Sequence, residues 1–290
     1  MKVAIMTDTN SGILPYEGAE KGIYVLPMPF IVDGENYLEG VSITHKQLYE
    51  YMRQDLDVST SMPSPGSIMD MWKQIFADGY DEIVYIPMSS GLSSSCASAR
   101  SFAEEYDGKV QVVDNHRISV TLLESVYDAK YMADNGKSAK EIKERLEETA
   151  YDASIYITVD TLKYLKKSGR VTPAAAAIAT MINLKPILTI QGEKLDSYAK
   201  VRGLKQSEHR MIEALKHDLE TRFANIPKER IRVATAGTIE DPADAETWRL
   251  AVQEAFPEHE VYYMPLSCSI ACHTGIGAVG IGMIVVEENR

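Results

Sequence analysis

The feature that most constrains this chain is a pattern repeated along its first half: a short apolar run ends in a polar turn, and an amphipathic segment follows. Val3 to Thr7 runs into Asp8-Thr9-Asn10-Ser11-Gly12, Ile83 to Met88 into Ser89-Ser90-Gly91-Leu92-Ser93-Ser94-Ser95, and Val110 to Val113 into Asp114-Asn115. Short apolar runs bounded by turn residues read as buried strands, and strands alternating with helical segments imply a mostly parallel, helix-covered sheet. In such sheets ligands gather where the chain leaves the carboxyl ends of the strands. The hydroxyl-rich turns are therefore the first place to look for function.

The richest of them is Thr60-Ser61-Met62-Pro63-Ser64-Pro65-Gly66-Ser67. Pro65 has a fixed φ and no N–H, which suits the first position of a helix capped by Ser64, and Ile68, Met71, Trp72, Ile75 and Phe76 then give that helix a core-facing side. A helix start offers free N–H groups and the positive end of the macrodipole, so Thr60 and Ser61 stand where a small anion can be held. Ser93 and Ser94 stand before a second helix start in the same way. Thr44 with Gln47, and Ser138 with Glu141, form capping boxes that open two further helices. Val25 to Val32, interrupted by Pro27 and Pro29, reads as an edge strand, and Gln54 to Ser59 as a linker.

A new series begins with the strand Ile155 to Val159, which sets the expected division at 1–152 and 153–290. A helix from Leu162 stops at Ser168-Gly169-Arg170-Val171, and Pro173 starts an alanine-rich helix, Ala174 to Ile182. Gln191-Gly192-Glu193 joins Pro186–Ile190 to Lys194–Val201 as a hairpin that closes at Arg202-Gly203. Helices over Ser207 to Phe223 and Ala243 to Ala255 alternate with strands Ile231 to Ala236, Glu260 to Met264 and Ile281 to Val286. Before the last strand lies a loop of small residues, Ser267 to Gly277, carrying His273.

Composition narrows the chemistry. Asp plus Glu number 42 against 30 for Lys plus Arg, a formal charge of −12, and no basic cluster of the kind that tracks phosphates occurs, so nucleic acid is not an expected partner. Cys96, Cys268 and Cys272 are an odd number in a long chain, which fits reduced thiols and a cytoplasmic protein. The opening Met1-Lys2-Val3-Ala4-Ile5-Met6-Thr7-Asp8 reaches an acidic residue without the apolar core of a secretory leader. No apolar run approaches the ~18 residues of a membrane span.

Several chemistries can be drawn on these residues. Gly91-Leu92-Ser93-Ser94-Ser95 matches half of a nucleophile elbow, and with His273 and Asp114 it would make a serine acyl-hydrolase, although the second glycine of the motif is serine here. Cys268 and Cys272 with His273 lack the second ligand pair of a structural zinc site, so no metal is expected. The glycines from 275 to 282 lack a P-loop lysine. Arg170 and Arg202, each beside a turn glycine, read as solvated charges, a docking surface or an anion clamp.

Taken in order, Asp8 after the first strand, Thr60-Ser61-Met62-Pro63-Ser64, Ser89-Ser90-Gly91-Leu92-Ser93, Ser168-Gly169-Arg170-Val171, Lys200-Val201-Arg202-Gly203 and His273-Thr274-Gly275 resemble the DegV family of bacterial fatty-acid-binding proteins over nearly the whole chain. The resemblance implies two α/β domains with a long-chain fatty acid between them, bound by a carrier that is not an enzyme and uses no cofactor. It assigns the carboxylate to Thr60, Ser61, Ser93, Ser94 and His273, and contact with a partner fatty acid kinase, which makes acyl phosphate for phospholipid synthesis, to Arg170 and Arg202. Four positions depart from the family pattern: Met62 replaces a Gln, Ser94-Ser95 a Gly-Thr pair, and Ile276 a Pro.

Overall fold

A computed structural model describes residues 1–177 and 184–290. In chain order its elements are β1 (Val3–Asp8), α1 (Pro15–Lys21), β2 (Ile23–Leu26), β3 (Pro29–Val32), β4 (Glu35–Leu38), α2 (His45–Arg53), β5 (Val58–Thr60), α3 (Pro65–Ala77), β6 (Glu82–Ile86), α4 (Ser95–Ala103), β7 (Val110–Val112), α5 (Val120–Asp134) and α6 (Ala139–Glu148). They continue as β8 (Ala153–Thr158), α7 (Lys163–Ser168), α8 (Pro173–Ala176), β9 (Lys185–Ile190), β10 (Asp196–Val201), α9 (Leu204–Thr221), β11 (Ile231–Gly237), α10 (Pro242–Ala255), β12 (Val261–Pro265), α11 (Cys268–Thr274) and β13 (Val279–Val285).

The α/β class expected from the alternating runs is what forms. β2-β1-β6-β7 is a parallel sheet, the arrangement that the strand, turn and helix repeats require. The second sheet, β10-β9-β8-β13-β11-β12, departs from the expected parallel order: only β11 and β12 pair parallel, and the other neighbours run antiparallel. The reason is that a strand covered on both faces is a continuous apolar run whichever way its neighbours point. All seven residues of β13 are buried, and nothing in them encodes direction.

Val25 to Val32 proves to be two strands. β2 edges the parallel sheet, while β3 is the centre of a small antiparallel sheet, β4-β3-β5, with Pro29 as its first residue. The linker before Thr60 accordingly contains β5, whose Thr60 pairs with Phe30. Phe30 and Val32 of this sheet pack with Leu48 and Met52 of α2 and with Cys268, Ala271 and Cys272 of α11. The loop expected around His273 is thus a helix, capped by Ser267, whose Oγ accepts the Ile270 N–H at 3.2 Å. Most of the alanine-rich helix lies outside the described residues; its start, α8, is capped by Thr172.

The α5 helix runs between the two larger sheets, packed on β1 and β13, and its first turn approaches β13 where Gly282 has no side chain. A Cβ there would sit 2.7 Å from Val120 Cγ2, so the glycine allows this contact. The α9 helix covers β8, β9 and β13, and α10 covers β11 and β12.

Candidate functional site

Thr60 ends β5 and His273 lies in the last turn of α11, 213 positions away, yet Thr60 Oγ1 stands 2.9 Å from His273 Nε2. Packing of α11 under the small sheet brings them together. Burial, and secondly the charge of Arg170, hold the imidazole down to about 4, so it is neutral at neutral pH. Its Nδ1 is buried and has no hydrogen-bond partner among the described residues.

Ser93 is set by the turn after β6. Gly91 lies so close to the β9–β10 hairpin that a Cβ would meet the Gly192 carbonyl at 2.4 Å, and the Ser89 hydroxyl donates to that same carbonyl. Ser93 Oγ accepts the Ser95 N–H at 3.2 Å at the start of α4, leaving its own proton free to donate. Ser94 is exposed and caps nothing with its side chain. Arg170, at the end of α7, donates from Nη1 to the Ser168 carbonyl at 2.6 Å and from Nε to the Leu92 carbonyl at 3.3 Å, which fixes a cation beside Ser93.

Thr60, Ser61, Ser93, Ser94, Arg170 and His273 all border one cavity of about 210 Å³. The rest of its wall is mainly apolar: Met28 and Met88, Ile118 before α5, Ile155 and Ile157 of β8, Ile190 of β9, Ala236 of β11 and Ile281 of β13. Arg202 is exposed and does not border it. Sequence reasoning missed Asn10 and Ser269, which also line the cavity. Asn10 Oδ1 accepts from the Ser269 hydroxyl and, at 3.1 Å, from that of Ser267. The only available signal was the position of Asn10 just past the end of β1.

The hydrolase arrangement does not form. His273 Nε2 faces Thr60 rather than a serine, and Nδ1 meets no carboxylate, while Asp114 accepts the Ser90 N–H and lies 3.8 Å from His116. A triad needs both of those bonds. Gly275 and Gly277 take left-handed φ values of 78° and 81° in the turn from α11 to β13, which accounts for them without a phosphate. Among the described residues no helix is long and apolar enough to cross a membrane.

What the cavity offers is hydroxyl donors, the Arg170 cation and a neutral imidazole on the side where Ser61 and Ser94 reach solvent, and elsewhere a mainly hydrocarbon wall with buried polar groups such as Asn10 and Ser269. Comparison with known proteins agrees. A family model described as "Uncharacterised protein, DegV family" matches residues 2–286. A DegV domain-containing protein of Deinococcus radiodurans is 30% identical over 288 residues, 98% of each chain. A fatty-acid-binding DegV family protein of Thermus thermophilus superposes with a TM-score of 0.86 at 26% identity, covering 99% of this chain and 100% of its own. DegV of Bacillus subtilis, described as a fatty acid binding protein, gives 0.85 at 25% identity, covering 98% and 99%. These relatives are named for a domain or for binding, not for a reaction. The alternating strands, the converging hydroxyl turns and the full-length matches make this chain a member of the DegV family.

Proposed function

We propose that the protein binds one long-chain fatty acid, with the carboxylate at Thr60, Ser61, Ser93, Ser94 and His273 and the tail along the isoleucine-lined wall, and that it acts as a carrier rather than an enzyme. The observation that carries this reading is that a single cavity joins this group of donors to a mainly apolar wall. Arg170 joins the carboxylate end, because its guanidinium is tied to the turn that holds Ser93. Local donors set the potential there, so a chain of net charge −12 can still hold an anion. Affinity comes from the tail: at about 0.8 kcal/mol per buried CH₂, roughly fifteen methylenes give ~12 kcal/mol gross, before association and ordering costs of several kcal/mol.

Within the same reading the chain divides at 152/153 into two α/β units with the acid between them. The protein is cytoplasmic and hands its acid to an ATP-dependent fatty acid kinase, whose acyl phosphate product feeds phospholipid synthesis. Arg202, exposed and with its guanidinium unpartnered among the described residues while its backbone N–H donates to Gln206 Oε1, is the position offered for that docking.

Denaturing mass spectrometry of the purified protein is expected to release a fatty acid in near-stoichiometric amount. A protein that carries none and takes up none on titration would refute the reading. Phosphorylation of the bound acid by a kinase that leaves the free acid untouched would establish the carrier role.

A further inference from the structure

A second chemical grouping lies at the opposite end of α11 from His273. Glu39 follows β4, His45 opens α2 and Cys268 opens α11, and the fold brings one ligand atom from each within 4.8 Å of the others. We propose that Glu39, His45 and Cys268 bind one divalent cation of the zinc class.

His45 Nε2 stands 3.8 Å from Glu39 Oε1 and 2.9 Å from the Leu266 carbonyl oxygen. Ligands of one tetrahedral ion with bonds of about 2.1 Å lie roughly 3.4 Å apart, so small side-chain shifts close the site once the imidazole gives up its Nε2–H bond to the Leu266 carbonyl and carries its proton on Nδ1. Carboxylate, imidazole and thiol form a mixed O, N and S set. That set suits zinc, whereas calcium and magnesium take oxygen ligands.

Charge points the same way. Glu39 and Cys268 are each 1% exposed, and among the described residues no Lys or Arg pairs with Glu39. A carboxylate and a thiolate together neutralise a dication, the compensation that buried charge needs. Glu39 already accepts from the Cys268 N–H and thiol, the Ser269 N–H and the Thr9 hydroxyl, which fixes its orientation, and the thiol proton is the one that a metal ion displaces. Coordination forms a sulfur–metal bond and releases the thiol proton to solvent. The three residues also border a surface pocket with Thr44 and Gln47, which supplies an entry path and room for a water as the remaining ligand.

The test uses the full chain, reduced and stripped with a chelator, titrated with Co²⁺ and then Zn²⁺. One equivalent of Co²⁺ should bind with a near-ultraviolet thiolate-to-cobalt band that Zn²⁺ abolishes. Cys268→Ser should lose the band, Cys272→Ser should keep it, and His45→Gln should weaken Zn²⁺ binding at least tenfold. No stoichiometric uptake, uptake without the band, a band that depends on Cys272, or wild-type affinity in His45→Gln would each overturn the proposal. His45 is partly exposed at a helix start, so its variant decides the matter if a cysteine variant does not fold.

Discussion

The side chains at the mouth of the cavity come from strand ends, turns and helix ends: Thr60 at the end of β5, Ser93 before α4, Arg170 after α7 and His273 in the last turn of α11. Those on its floor belong to strands, Ile155 and Ile157 of β8, Ala236 of β11 and Ile281 of β13, which are held by ladder hydrogen bonds whatever their side chains are. The difference separates two kinds of control. The mouth offers a few directional contacts, each worth about 1–3 kcal/mol when a charged group is involved. The floor offers area, which sums over many methylenes to several times that.

The largest effect should therefore come from the floor. Ala236 is 5% exposed and faces Gly280 across the β11–β13 ladder, both at the cavity wall. Ala236→Leu places three extra carbons in that space, displacing three or four methylenes of the longest tails. At about 0.8 kcal/mol each, stearate should bind ~2–3 kcal/mol more weakly while laurate changes little, with ~1–3 kcal/mol of stability lost to overpacking. Displacement titration with acids of graded length measures this. Equal losses for stearate and laurate would mean that the floor does not measure chain length, and the contrast with the mouth would collapse.

The same contrast explains what the sequence could reveal. Turns carry their chemistry in the residue types themselves, so Thr60, Ser61, Ser93, Ser94 and Arg170 stood out before any fold was known. Floor isoleucines are indistinguishable from ordinary core residues in a buried strand. The α11 helix was hidden for a related reason. Ser269, Ile270, Ala271 and Cys272 are all buried, so no polar face marks a 3.6-residue period. Strand direction in the second sheet leaves no trace in a run such as Val279 to Val285, and β5 is too short to register. Glu39, His45 and Cys268 form no motif, because they meet only through the packing of the small sheet on α11.

At the mouth, His273 gives a smaller and pH-dependent effect. Its imidazole is held down to about 4 from an ordinary 6.5, chiefly by burial. Between those values the unfolded chain binds a proton that the folded chain refuses, so this residue's contribution to stability is complete above about pH 6.5 and is lost as pH falls towards 4. The span corresponds to at most about 3 kcal/mol, at 1.36 kcal/mol per pH unit. Asp8 and Asp128, raised by burial to about 6, act in the opposite sense over the same range. The readout is consequently the difference between wild type and His273→Gln in urea midpoints from pH 4 to 7. The wild-type curve should fall more steeply on acidification. Parallel curves would mean that the imidazole is solvated, and the mouth would lose its one buried titratable donor.

The smallest effect should come from Met62, where this chain departs from the family pattern at the rim. Its side chain is 46% exposed at the edge of the cavity, and its sulfur accepts the Ser98 hydroxyl at 3.7 Å. Met62→Gln exchanges a thioether for an amide of similar reach on a surface that water already wets, so stability should stay within about 0.5 kcal/mol. An amide can turn towards the carboxylate end, where Ser61 is its neighbour, or towards α4, where Ser98 is. In the second case affinity for palmitate stays within about threefold of wild type, since no buried donor is gained. In the first, the acid gains over its methyl ester, because only the carboxylate accepts strongly from a new N–H. We expect the second outcome, given that the Met62 sulfur already lies against Ser98. A gain of tenfold or more for the acid alone would instead make position 62 part of the headgroup site, and the boundary between mouth and rim would move outward by one residue.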